Sequence, residues 1–439
     1  MKIVLIMVKG NTYSFRNRPF IFKNMPDSLT MGMLYAIIKW SFPEIEVEVI
    51  DETVEEIKKE EINADLIGIS ALTPAFYKAQ ELSKYFRAKG IPVFIGGLHA
   101  TLAPETCYED FDSIIIGLAN ESLVQLIYDF KNGNLQKEYR QRADMPFENF
   151  VFPDRTLYEK KDWRAVELNM VQATYGCSNA CKFCVQPYVS CGYHQRPVED
   201  VLAEISKINT RDIEFVDPNF ARDIKYLEKM CKGLKKLKKS WFAPMTMTVG
   251  KNEKLLRMLK DSGCSGVLVG FESVNLSSID TISKGFNNIS QYEEVVKNFH
   301  KYGIEVTGSF VMGLDGDDKD TEKATLDFII KTGIDYVRFT INTPFPGTEY
   351  YNEMKNSGRV ITEDYRKYDC CHCVIKPQNL TPEEVETLYK NMWKKSYTFI
   401  NVLRRICNSG AKLKFLKLVI LNYIFGKVYQ SMVIKSLKN

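Results

Sequence analysis

The chain has 439 residues, 45% hydrophobic and 26% charged, with a formal net charge of +4. That length exceeds one ordinary core and calls for two or three domains, and the composition is that of a globular protein rather than a fibrous or low-complexity one. The basic excess is local: residues 394–439 hold ten Lys or Arg and no Asp or Glu, which leaves the rest at about −6.

Eleven cysteines, an odd number, fit reduced thiols and a metal site better than a disulfide framework, and so point to the cytoplasm. Met1–Val8 is apolar but lacks the cleavage site of a signal peptide. Leu413–Phe425 is too short, and with its lysines too polar, to cross a bilayer.

Residues 1–145 alternate short apolar runs with amphipathic stretches. Strands are predicted at Met1–Val8, Val47–Asp51, Leu66–Ser70, Val93–Gly97 and Ile114–Gly117, and helices at Met31–Trp40 and Pro74–Lys89. This order specifies a parallel sheet with helices on both faces, whose ligands sit at the carboxyl ends of the strands. Those ends are Lys9–Tyr13, Ser70–Thr73, Gly96–His99 and Gly117–Glu121, and their glycines permit close backbone approach to a large ligand. No G-x-G-x-x-G follows the first strand, which disfavours a dinucleotide. Residues 132–166 are charged, carry Pro146 and Pro153, and read as a crossing between domains.

A strand at Leu168–Thr174 delivers Tyr175-Gly-Cys-Ser-Asn-Ala-Cys-Lys-Phe-Cys-Val185. Cys177, Cys181 and Cys184 can bind one metal centre, yet no fourth ligand lies in the run. Structural zinc closes its tetrahedron with four protein ligands. A cubane cluster normally takes four thiolates, so one held by three keeps an open iron. Chance spacing or a structural zinc is the alternative. Helices then follow at Val198–Ile208, Ile224–Lys236, Glu253–Lys260, Ile289–Tyr302 and Thr321–Thr332, and strands at Asp212–Val216, Pro244–Val249, Gly266–Gly270, Glu305–Met312 and Tyr336–Ile341. Such repeats specify a parallel barrel or partial barrel with its function at the carboxyl ends. No Ser–His–Asp or Cys–His hydrolytic set stands out among only four histidines.

Cys177-x3-Cys181-x-Phe183-Cys184 resembles the signature of the radical S-adenosylmethionine (SAM) enzymes. The resemblance implies a [4Fe-4S] cluster on Cys177, Cys181 and Cys184, whose open iron chelates SAM and whose electron cleaves it to a 5′-deoxyadenosyl radical. Further marks resemble the subclass in which a cobalamin-binding domain precedes the radical domain. Asp217-Pro-Asn219-Phe220 resembles its Asp-Asp-Asn-Phe, and Gly270-Phe-Glu272-Ser273, followed by Lys284-Gly285, its Gly-x-Glu-Ser. Gly308-Ser-Phe-Val-Met312-Gly-Leu314 is similar to a strand near the adenine, although Asp315-Gly316-Asp317 replaces Pro-Gly-Glu. Thr343-Pro-Phe-Pro-Gly-Thr-Glu-Tyr-Tyr351 resembles the loop closing the last strand. SAM contacts are thereby implied at Phe183, Asp217, Asn219, Glu272, Ser273, Gly308, Met312 and Thr343.

Ile69–Pro74 and Gly96–Glu105 resemble the cobalamin domain of that subclass and imply corrin contacts at Ser70, Thr73, Gly96, Gly97, His99, Gly117 and Glu121. The Asp-x-His-x-x-Gly motif is absent, so no protein histidine is expected on cobalt, and Leu118-Ala-Asn-Glu121 stands where relatives show Gly-Glu-x-Glu. His99 follows a Gly-Gly turn and equally suits a helix cap. The alternative is a Rossmann-like domain that has lost its corrin.

In the C-terminal part, Thr381-Pro-Glu-Glu384 is helix-start chemistry. Cys370, Cys371, His372 and Cys373 are spaced more tightly than zinc knuckles and read as packing or a pocket wall rather than a second metal site. The basic, apolar tail reads either as an interfacial helix on a membrane or as a helix packed on the barrel, and no RNA module accompanies its charge.

The expectation is an α/β chain: a Rossmann-like cobalamin-binding domain at 1–145, a linker at 146–165, a radical SAM partial barrel at 166–360 and a basic, mostly helical extension at 361–439. The resemblance implies a cobalamin-dependent C-methyltransferase acting on an unactivated carbon of a small or lipid-like molecule. Flavodoxin or ferredoxin would supply electrons, and no nucleic acid is expected. A radical enzyme with a non-methylating outcome (ring formation, oxidation) and a non-catalytic iron–sulfur redox or sensor protein are the alternatives.

Overall fold

Short, thoroughly buried aliphatic runs build the first sheet. Its strands are β1 (Lys2–Met7), β2 (Glu46–Asp51), β3 (Leu66–Ser70), β4 (Val93–Gly96), β5 (Ser113–Ile116) and β6 (Glu138–Arg140), interleaved with helices α1 (Thr30–Ser41), α2 (Phe76–Ala88), α3 (Leu98–Leu102) and α4 (Ser122–Lys131). These are features of a computed structural model that describes residues 1–10, 29–53, 55–142, 144, 151–159, 170–179, 181–285, 287–410 and 415–436. Residues 11–13 of the first strand end and most of the linker (146–150 and 160–165) lie outside the described residues.

All pairings in this sheet are parallel, in the order β2-β1-β3-β4-β5-β6. Successive side chains point to opposite faces. Ile3, Leu5 and Leu66 therefore pack with Ile37 and Leu126 on one face, and Val4, Ile6, Ile67 and Ile69 with Phe76 and Phe86 on the other. The connection reverses between β1 and β3, which opens a crevice at the carboxyl ends. β6 corrects the linker reading: the chain from 132 onward first adds an edge strand, with Tyr139 buried against α4. Glu-Tyr-Arg offers a single apolar side chain, so no periodic signal marks it.

After α5 (Thr156–Glu159) the second sheet begins at β7 (Met170–Val171). The single strand expected at 168–174 is split, because β8 (Thr174–Tyr175) leaves the sheet to pair antiparallel with β9 (His194–Gln195) around α6 (Gln186–Val189). Then follow α7 (Val198–Ser206), β10 (Asp212–Phe215), α8 (Ile224–Leu237), β11 (Ser240–Met245), α9 (Glu253–Asp261) and β12 (Cys264–Glu272). The sheet is completed by α10 (Leu276–Thr281), α11 (Tyr292–Lys301), β13 (Glu305–Met312), α12 (Thr321–Thr332), β14 (Tyr336–Ile341) and α13 (Glu349–Asn356). β11 starts four residues before its expected position: Trp241, Ala243 and Met245 alternate inward, and Met247–Lys251 turn into a 3-10 helix. Six parallel strands in the order β14-β13-β12-β11-β10-β7 form an open partial barrel.

Three C-terminal helices, α14 (Pro382–Ser396), α15 (Phe399–Asn408) and α16 (Phe415–Ser436), share that barrel's core. Thr381 and Glu384 close a reciprocal capping box at the start of α14. Tyr397 caps the free edge of β14: its hydroxyl donates to the Val337 carbonyl at 2.7 Å and accepts the Val337 N–H at 3.2 Å. An exposed strand edge would otherwise invite pairing with another chain. Among the described residues no helix is long and apolar enough to cross a membrane.

Candidate active site

The cysteine loop is fastened at several points among the described residues. Gly176 opens it at φ +75°, and a side chain there would collide with the Gly192 carbonyl just before β9. The Lys182 N–H donates to the Ile282 carbonyl at 3.1 Å, and its ammonium pairs with Glu353 at 2.7 Å. Phe183 packs into two apolar clusters, one with Ile279, Ile282 and Leu314, the other with Tyr350 and Tyr368. It thus anchors the loop between the second and last thiols. Burial pushes the Cys181 thiol up to about 11, opposed by the Lys284 ammonium, and burial raises Cys184 as well. Neighbouring thiols contribute to both shifts, so the sulfurs lie within mutual electrostatic reach. Among the described residues no three Cys, His, Asp or Glu side chains close on a single ion.

Around the loop stand the strand ends. The Asp217 carboxylate, after β10, accepts the Thr174 N–H at 2.5 Å, the Thr174 hydroxyl at 2.6 Å and the Ala173 N–H at 3.2 Å. It holds the strand that feeds the cysteines, and burial lifts its pKa to about 6. Asn219, two residues on, is buried with its side-chain oxygen unpartnered among the described residues. Glu272 ends β12 at φ +65°, a left-handed backbone that a non-glycine residue adopts only when its surroundings enforce it. Its carboxylate pairs with the Lys284 ammonium, which also donates to the Gly270 carbonyl at 3.0 Å. A side chain at Gly270 would strike both the carboxylate and the ammonium. Ser273 uses its hydroxyl to accept the Asn275 N–H at 3.0 Å, shaping the turn into α10.

On β13, Met312 is the buried last residue, whereas Gly308 sits in mid-strand, where a side chain would crowd Ile334 and Phe310. The departure at 315–317 is filled by Asp317, which accepts the Gly313 N–H at 2.9 Å and the Ser278 hydroxyl at 2.7 Å. Thr343, after β14, donates its hydroxyl to the Ile341 carbonyl at 3.0 Å and meets the Cys370 thiol, which burial pushes up to about 12. Cys371 and Cys373 point elsewhere, to the Tyr389 hydroxyl and the Ile375 carbonyl, in keeping with packing. Lys284 was named in the sequence as part of a motif, but its pairing with Glu272, twelve positions away, was not. One site residue lay beyond the sequence reading. Asn342, buried at the end of β14 with an unpartnered side-chain oxygen, gave no signal.

The first sheet's crevice is made mostly of backbone. Gly97 (φ +95°) follows Gly96, and a side chain on it would meet the Ala71 carbonyl at 2.9 Å and the Ser70 hydroxyl at 3.0 Å. Gly117 (φ +85°) lies against Gln141, whose side-chain oxygen accepts the Leu118 N–H at 2.9 Å. The Thr73 hydroxyl and His99 Nδ1 are buried and unpartnered among the described residues. His99 stacks on Phe76 at 3.8 Å with Tyr365 at its edge, and its Nε2 meets the Thr106 hydroxyl at 3.0 Å. Burial lowers its pKa to about 3, so the ring is neutral. Enclosed in this way, it braces the crevice wall. Glu121 turns to the surface and grips Arg142 with both oxygens, at 2.8 and 2.9 Å.

The two sheets meet at these ends. α3 touches α6 inside the cysteine loop, and Gln141 donates to the Ser190 carbonyl at 3.4 Å. Gly347, after β14, lies so close to the Leu102 carbonyl that no side chain fits between. Tyr365 joins Phe76, Tyr77 and His99. The donor sets fit the implied groups: a thiol triplet with ordered surroundings, unpartnered buried amide oxygens at Asn219 and Asn342, and a glycine cradle beside the unpartnered Thr73 hydroxyl.

Comparison with known proteins gives two family matches, the B12 binding domain over residues 36–127 and the radical SAM superfamily over residues 171–329. Bacteriochlorophyllide d C-12(1)-methyltransferase of Chlorobaculum tepidum is 29% identical over 371 residues, 82% of this chain and 81% of its own. Anaerobic magnesium-protoporphyrin IX monomethyl ester cyclase of Cereibacter sphaeroides is 24% identical, over 77% of this chain and 61% of its own. The structure of the radical SAM methyltransferase TsrM from Kitasatospora setae, with cobalamin and a [4Fe-4S] cluster, aligns at TM-score 0.67 and 15% identity over 90% of this chain and 88% of its own, a likeness of fold. The two matches place a B12 binding domain ahead of a radical SAM superfamily domain in this chain, and these domains bring with them cobalamin, a [4Fe-4S] cluster and SAM as cofactors.

Proposed function

We propose that this chain is a methyltransferase that installs a methyl group on an unactivated carbon of a small, largely apolar molecule. The observation that supports it most is the meeting of the two sheets near their carboxyl ends, through α3, α6 and the Leu102–Gly347 contact. When bound, the cluster and SAM supply a carbon radical and the cobalamin a methyl group. Cys177, Cys181 and Cys184 hold the cluster, with Phe183 keeping their loop in place. Asn219, Glu272 and Thr343 bind polar parts of SAM, Asp217, Ser273 and Gly308 shape the strands and turns that carry them, and Met312 lines the mouth. Ser70, Thr73, Gly96, Gly97 and Gly117 cradle the corrin, while His99 and Glu121 brace its walls. Apolar walls at Met312 and Phe183 exclude water from a reactive carbon. Lys284 fixes Glu272 and sets positive charge beside Cys181. The electron donor is a flavodoxin or ferredoxin, and the compartment is the cytoplasm.

Anaerobic reconstitution with iron, sulfide and hydroxocobalamin, followed by reduction with SAM present, tests this reading. It expects release of 5′-deoxyadenosine and transfer of deuterium-labelled methyl into product. Absence of 5′-deoxyadenosine from cluster-replete protein would overturn it. The cyclase among the relatives favours one second reading, a radical oxidation or ring closure. In that case 5′-deoxyadenosine forms and no labelled methyl reaches product.

A further inference from the structure

The C-terminal helix pair leaves one face that the proposed chemistry does not use. α16 is anchored on its inner side by Leu418, by Asn422, which donates to the Leu418 carbonyl at 2.9 Å and accepts from the buried Arg405, and by Gly426, whose missing side chain makes room for the Tyr397 ring. The outer side carries Leu416, Ile420, Tyr423 and Lys427, at spacings of four, three and four, which is one helical stripe. Leu416 is 70% exposed, and Ile420 and Tyr423 are each 49% exposed. The first turn of α15 adds Phe399 at 58% and Ile400 at 62%. Single exposed apolar residues are ordinary, but a stripe of this kind marks an interaction face.

Its frame is basic. Arg404, Lys417 and Lys427 are exposed here, and the Lys427 ammonium lies 5.5 Å above the Tyr423 ring. Residues 394–439 contain no acidic side chain at all. A second copy of the chain would cover the apolar stripe but would bring like charges together across the interface. A polyanion alone would satisfy the lysines and leave the aliphatic side chains in water. A bilayer carrying negative headgroups satisfies both: the apolar side chains enter the boundary between headgroups and acyl chains, and the cations meet the lipid charge.

We infer that the outer face of α15 and α16 docks on an anionic phospholipid surface, with the helices lying in its plane. This inference is independent of the reaction proposed above. The test is co-flotation of the full-length protein with vesicles of phosphatidylcholine alone or with phosphatidylglycerol added, at low and physiological salt. Binding is expected on the anionic vesicles, weaker by about tenfold on neutral ones, and weakened by salt. Leu416→Glu with Ile420→Glu should reduce binding by about a hundredfold. Lys417→Gln with Lys427→Gln should reduce it by about tenfold on anionic vesicles alone. All four positions are exposed, so thermal melts should match the parent and separate lost docking from lost folding. No binding of the parent to anionic vesicles, or equal binding by the Glu variant, would overturn the inference. So would a lipid-independent dimer that the Glu variant dissolves, or retention of RNA with no vesicle binding.

Discussion

Both sheets of this molecule present the carboxyl ends of parallel strands to a ligand, but they furnish those ends differently. The first sheet offers backbone: glycines at left-handed φ, and a hydroxyl and a ring nitrogen left unpartnered among the described residues at Thr73 and His99. The second offers charge already held by protein: Glu272 on Lys284, Asp217 on residues 173–174, Asp317 on Gly313 and Ser278. A bulky, flat ligand needs side chains out of its way, which glycine provides. A charged cosubstrate beside a cluster needs dipoles and charges that do not reorganise during reaction.

The sharpest break of this contrast is Cys181→Ser, which should abolish cluster iron and sulfide and all 5′-deoxyadenosine release while the first sheet still takes up cobalamin, as read by corrin absorbance. Loss of both cofactors would show that the two sites are not separately built. Next, Lys284→Met leaves the Glu272 carboxylate buried without its counter-charge. A cost of about 3–5 kcal/mol in stability is expected by chemical denaturation. Adding Glu272→Gln should recover a large part of that loss.

Gly347→Ala addresses the junction itself. Its φ of +84° and the adjacent Leu102 carbonyl both oppose a side chain, so the sheets should part at a cost of about 1–3 kcal/mol. Methyl transfer should then fall more than tenfold while 5′-deoxyadenosine release continues. A pH series sharpens the description of the second sheet. Burial raises Asp317 from 3.8 to about 6, so its contribution to stability is fully present below about pH 4 and lost as pH rises through 6. Stability curves of the parent and Asp317→Asn should differ by that slope, on the order of 1–3 kcal/mol. The smallest effect expected is for Thr73→Val, a loss of about fivefold in cobalamin affinity by titration, the value of one hydrogen bond.

Much of this was readable in advance, because strand ends in parallel sheets fall where apolar runs stop, and Leu66–Ser70, Glu305–Met312 and Tyr336–Ile341 stop as expected. The thiol triplet was plain because its members are near neighbours in the chain. β6 escaped notice because an edge strand buries one side chain, Tyr139, and leaves no period to detect. β11 begins at Ser240, before the expected Pro244, and Trp241 and Ala243 already alternate inward.

What the chain by itself determined is local: the cysteine spacing, the turn glycines, the cap at Thr381, and the strand–helix alternation that favours the two large parallel sheets. The fold alone decided which of those marks meet. It set Lys284 against Glu272, turned Glu121 away to Arg142, enclosed His99 between Phe76 and Tyr365, and brought Gly347 against Leu102. The reason is physical: backbone preference acts over a few residues, whereas burial and charge pairing act between groups that only a folded chain brings together.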